Sequence, residues 1–111
     1  MLAYLMSFDY ADQRSLDEWD INHSSDHEEI RQAIQAKLGV NLEDRPIYPT
    51  NWKDWNAYAI RHQSLHNDMN SILGLNGVDL TTVDFKDKKE SENWHFDHFQ
   101  EHQAARTTLG I

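Results

Sequence analysis

Apolar residues recur along this chain with the spacing of one helix face, and they do so in three separate stretches. The first runs Leu16, Trp19, His23, His27, Ile30, Ile34, Leu38, and the second Trp55, Tyr58, His62, His66, Met69, Leu73. The third runs Trp94, His98, His102, Ala105, Leu109. Steps of three and four residues hold one side of an α-helix, while Asp17, Glu28, Glu29, Arg31 and Gln35 fall off it. Each stripe ends at a glycine, Gly39, Gly74 or Gly110, the residue that most readily takes the left-handed stop of a helix. Helices are predicted near 15–38, 51–73 and 87–109.

The stripes are also copies of one another. An aromatic residue, His four residues on, His four further and Leu-Gly after that describe Tyr58–Gly74 and Trp94–Gly110 at a fixed offset of 36 residues. Trp19, His23 and His27 repeat the front of the pattern at an offset of 39, and Leu38-Gly39 closes it after four extra residues. Four residues are about one helical turn, so the insertion lengthens the helix while nearly keeping its face. The chain therefore reads as an all-α three-helix bundle of three pseudo-repeats (15–111), preceded by an extended N-terminal arm (1–14).

Start signals refine the ends. Ser15-Leu16-Asp17-Glu18 has the form of a capping box, and Asp87-x-x-Glu90 offers a second cap. Residues 40–50 hold Pro46 and Pro49, which stiffen the first linker. Residues 78–85 form the second, with too few apolar positions for more than a short strand. Helices of about 22 residues are about 33 Å long, and linkers of about eleven residues span that only when nearly taut. Antiparallel neighbours, up-down-up, are the expectation.

Composition narrows the function. With 111 residues there is one domain and one modest core. A net charge of −9 argues against nucleic-acid phosphates and anionic membranes as partners, and no stretch approaches the length of a membrane span. Without cysteine there is neither a disulfide framework nor thiolate chemistry. No nucleophile elbow or phosphate-binding glycine loop is present, so no catalytic residue is assigned and no enzymatic activity is expected.

The histidines admit two readings. An i, i+4 pair points two imidazoles the same way, as metal-binding helices require. Up-down-up packing would gather His23, His66 and His98 in one layer and His27, His62 and His102 in another, as sites for a transition metal such as zinc or iron. Asp20, Asp26, Asp97 and Glu101 could support them from behind. Two stacked His sites would accumulate positive charge, however, with no carboxylate ligand. The reading favoured from sequence is therefore a structural network without cofactor, in which imidazoles hydrogen-bond across the seam. Size and helicity are similar to hemerythrin, but only the HxxxH element is shared, since Asn70 and Gln103 stand where that family's carboxylates would be.

Leu2, Tyr4, Leu5, Phe8 and Tyr10 in the arm, and Ile47, Tyr48 and Trp52 beside the first linker, supply apolar surface for a partner. The aromatic-x3-His-x3-His-x6-Leu-Gly pattern, followed by Val78-Asp79-Leu80 and Val83-Asp84-Phe85, resembles small virion structural proteins of tailed bacteriophages. That resemblance spans residues 15–111. It implies a non-enzymatic capsid or head–tail neck component, homo-oligomeric, bound to portal, adaptor, tail or capsid subunits and assembled in the host cytoplasm.

Overall fold

The computed structural model describes residues 8–42 and 55–111. Among these residues there are three helices: α1 (Gln13–Leu38), α2 (Trp55–Leu73) and α3 (Lys88–Leu109). No strand occurs among the described residues, so the second linker is irregular throughout. The protein is an all-α three-helix bundle built on its three pseudo-repeats.

Helix ends follow the chemistry of their caps. α1 begins earlier than the capping box predicts, because Asp12 is the cap and its side chain accepts from the Arg14 amide. Ser15 is already helical, and its Oγ accepts from the Asp9 amide at 2.9 Å, tying the arm to the helix. Asp87 caps α3 as expected, accepting from Lys89 and Glu90. The predicted start of the second helix lies outside the described residues, which enter it at Trp55. The glycines after the helices sit at φ 68–70°, where a side chain would be strained.

The expected up-down-up arrangement is not what forms. Leu16 and Trp19 of α1, Trp55, Tyr58 and Ala59 of α2, and Trp94 of α3 share one apolar cluster with Phe8, Leu80 and Phe85. All the helical members come from N-terminal portions. Ile30, Ile34, Met69, Ala105 and Leu109, all further along their helices, form the other cluster with Leu42. The three helices therefore run parallel, with their N-termini at one end.

The second linker makes this possible. Its fourteen residues (74–87) reach about 46–50 Å when extended, more than the about 33 Å of α3. It returns along the bundle through Val78 N–H to Glu101 Oε2 (3.2 Å) and Leu80 N–H to Gln63 Oε1 (2.6 Å). Trp94 Nε1 donates to the Leu80 carbonyl at 2.8 Å, and Phe85 packs on Trp55 and Trp94. Parallel packing puts equivalent positions of the repeats at one level, so aromatic meets aromatic and histidine meets histidine. Leu38 is the exception on the predicted stripes: half exposed, it has run past the end of the core.

Candidate metal centre

The six paired histidines lie between the two apolar clusters. His23, His62, His66, His98 and His102 are buried and His27 is partly so. Their placement begins with the aromatic residue four positions earlier. His23 stacks on Trp19 (17° between planes), His62 on Tyr58 (14°) and His98 on Trp94 (15°), with centroids 4.4–5.1 Å apart. One helical turn lays each ring against its predecessor, fixing three imidazoles in equivalent orientations.

The rings converge on a common point. The Nε2 atoms stand 3.0 Å apart for His23/His98, 2.9 Å for His23/His27 and 3.3 Å for His27/His62. They are 3.1 Å apart for His23/His62, His62/His98 and His98/His102. The ring centroids are farther apart, 4.3–5.3 Å, so the nitrogens point inward. One nitrogen from each of the six rings lies within 4.8 Å of all the others.

The pattern of neighbours is that of an octahedron. Every pair of the six rings is in contact except His23/His66, His27/His98 and His62/His102. Each ring thus has one opposite and touches all the rest, as vertices of an octahedron do. His23, His62 and His98 form one face, His27, His66 and His102 the other. The two layers expected from reversed packing do not exist, because each would have contained an opposed pair. There is one site of six instead of two of three.

Hydrogen bonding alone cannot satisfy this cluster. Each Nε2 of a neutral imidazole carries either one proton or one lone pair. Around the triangle His23–His62–His98, with sides of 3.0–3.1 Å, two corners must then be alike. Two protons or two lone pairs face each other whichever tautomers are chosen. The triangle His23–His27–His62 has the same defect. His66 Nε2 is buried without a hydrogen-bond partner. A cation at the centre removes the conflict, since six lone pairs then share one acceptor.

The outer nitrogens set the tautomers of two rings, while Nδ1 of His62 and of His98 is buried without a hydrogen-bond partner. Glu101 Oε1 lies 3.2 Å from His66 Nδ1, and Asp26 Oδ2 lies 2.7 Å from His102 Nδ1. A carboxylate only accepts, so both rings carry a proton on Nδ1, and in the neutral form each turns a bare Nε2 inward. Tyr58 Oη is 3.2 Å from His23 Nδ1. Asp26 and Glu101 are themselves buried and held: Arg106 donates to Asp26 Oδ1 (2.8 Å), Asn70 to Glu101 Oε1 (2.7 Å). Two buried carboxylates therefore stand behind the imidazoles, for which the sequence reading found no carboxylate ligand. Of the four acids named there, Asp26 and Glu101 support the cluster, whereas no hydrogen bond joins the side chain of Asp20 or Asp97 to it.

Electrostatics favour neutral imidazoles. Burial first, then the neighbouring cationic groups, lowers His23, His27, His62, His98 and His102 well below the ordinary 6.5. Burial raises Asp26, with Arg106 opposing. Burial would also raise Glu101, but hydrogen bonding and attraction from His66, helped by Asn70 and Val78, lower it.

Two of the expected partner-binding residues, Phe8 and Tyr10, lie among the described residues. Phe8 is buried in the chain's own core against Trp19, Phe85 and His95, so it is not surface for another chain. Tyr10 packs partly buried on the same cluster. Leu2, Tyr4, Leu5, Ile47, Tyr48 and Trp52 lie outside the described residues. Sequence reasoning missed Tyr58 Oη and Asn70 as supports and Gly77 as a close approach; the identical spacing of Tyr58 and Trp94 was the signal for the first.

No protein family, curated protein or solved structure matches this chain.

Proposed function

We propose that the chain is a non-enzymatic metal-binding protein in which one divalent transition-metal ion, held by His23, His27, His62, His66, His98 and His102, clamps three parallel helices together. The observation that carries this reading is the closed triangle of inward-facing Nε2 atoms, which proton sharing cannot satisfy. Imidazole is a good ligand for zinc, copper, iron and nickel. The two supporting carboxylates balance the charge of a divalent ion bound by neutral ligands.

The role that fits is structural. Catalytic metal sites keep a position open for water or substrate, and six protein nitrogens leave none. A small domain gains much from such a clamp, because the histidine layer divides its core into two apolar clusters, each modest by itself. The setting we propose is a tailed-phage virion, as a homo-oligomeric component beside portal, adaptor, tail or capsid subunits; it rests on the sequence resemblance. A monomer with no affinity for co-expressed neck or capsid subunits would remove that setting and leave the metal reading intact.

Elemental analysis after loading with Ni2+ or Fe2+ tests the function itself. One ion per chain is expected, removable by a chelator and absent from a His62→Ala/His98→Ala variant. A folded protein that takes up no ion would overturn the proposal.

A further inference from the structure

From the spacing of the nitrogens we infer that the site selects six-coordinate divalent ions of the Fe2+, Co2+ and Ni2+ class over Zn2+; this rests on the metal-binding reading above. In an octahedron the distance from centre to vertex is the edge divided by √2. The six Nε2 separations among His23, His27, His62, His98 and His102 are 2.9–3.3 Å, and as octahedral edges they place an ion about 2.1–2.3 Å from those five nitrogens.

A tetrahedral zinc site has another shape. With Zn–N about 2.0–2.1 Å its nitrogens stand about 3.3–3.4 Å apart, and none lies opposite another. Of the six Nε2 separations among His23, His27, His62, His98 and His102, only His27/His62, at 3.3 Å, reaches that spacing; the others are 2.9–3.1 Å. Every choice of four rings from these six also includes an opposed pair, except by distortion, because only three diagonals exist and four vertices must use one.

The scaffold resists that distortion. His23, His62 and His98 are pinned by their aromatic stacks, and His66 and His102 by Glu101 and Asp26. Zinc drawing four rings inward would leave two imidazoles buried with bare nitrogens and no partner, a penalty six-coordinate ions avoid. Oxygen-seeking Mg2+ and Ca2+ find no oxygen ligand in the inner ring. Cu2+ prefers a tetragonal set over six equal nitrogens. His27, the partly exposed vertex, is the natural point of entry.

The test uses the intact protein, stripped by chelator and offered Ni2+ and Zn2+ at equal concentration, with the retained ion read by native mass spectrometry. The cobalt-loaded protein is examined in parallel by visible absorption. Retention of Ni2+ over Zn2+ by about tenfold or more, with the weak bands of six-coordinate Co2+, is expected. Equal or preferential zinc retention, or the intense bands of four-coordinate Co2+, overturns the selectivity while leaving a metal protein. Failure to retain any of the three ions overturns both.

Discussion

His102 Nδ1 lies 2.7 Å from Asp26 Oδ2, on the side of the ring away from the Nε2 that faces the other histidines. The same carboxylate accepts from Arg106 at 2.8 Å, so a surface-reaching cation, a buried acid and an inner imidazole form one chain of contacts between α1 and α3. Asp26→Asn keeps the shape but weakens the charge behind the ring. A loss of about 10–100-fold in metal affinity is expected, as for other supporting carboxylates. Competition against a chelating dye measures it; unchanged affinity would mean that Asp26 serves only the Arg106 ion pair.

Gly77 brings the second linker against Glu101 more closely than any other residue could. A Cβ there would collide with Asn70 Nδ2 and stand 3.0 Å from Glu101 Oε1. Gly77→Ala should therefore push Glu101 off His66, costing about 1–3 kcal/mol as overpacking does. Affinity for metal should fall along with stability. Thermal melts with and without Ni2+ separate the two effects, and a variant as stable and as tightly binding as the parent would show that the linker yields.

Much of this site was legible before the fold was known. The i, i+4 pairs gave all six histidines, and their stripe position gave burial, because the spacing of a helix face is local information. Of the four acids named as possible supports, Asp26 and Glu101 contact the cluster, whereas Asp97, which also stands one residue before a histidine, does not, so position along the chain did not separate them. Helix direction was not legible, since stripe spacing is the same whichever way a helix runs. The second linker, fourteen residues between its helix ends, is longer than its apolar pattern suggested. That one error split a single cluster of six rings into two of three. Phe8 failed differently: an isolated aromatic before a helix does not reveal whether it closes its own core or another chain's.

The metal-free protein should lose stability in acid. Its five assigned imidazoles titrate well below 6.5 when folded and near about 6.5 when unfolded. Between those values the unfolded chain binds more protons, so stability falls as pH drops from about 6.5 toward the folded pKa values. Melting temperature should decline from pH 7.5 to 5 in the presence of chelator. A flat profile would place these rings in contact with water.

Metal should stabilise the fold by mass action. Free ion at about 100 times its dissociation constant contributes about 2.7 kcal/mol. For a domain of this size each kcal/mol is worth about 4–8 °C, so the melting temperature should rise by roughly 10–20 °C on adding Ni2+ and return with excess chelator. His66→Leu, which fills the space without a ligand nitrogen, should reduce that rise sharply. A full response in that variant would take His66 out of the site.

X-ray absorption at the metal edge of the nickel-loaded protein measures the ligands themselves. The account predicts one shell of six nitrogens at about 2.1–2.3 Å, followed by the outer-ring scattering of imidazole. A shell of four or fewer imidazole nitrogens, or one dominated by water oxygens, would contradict it.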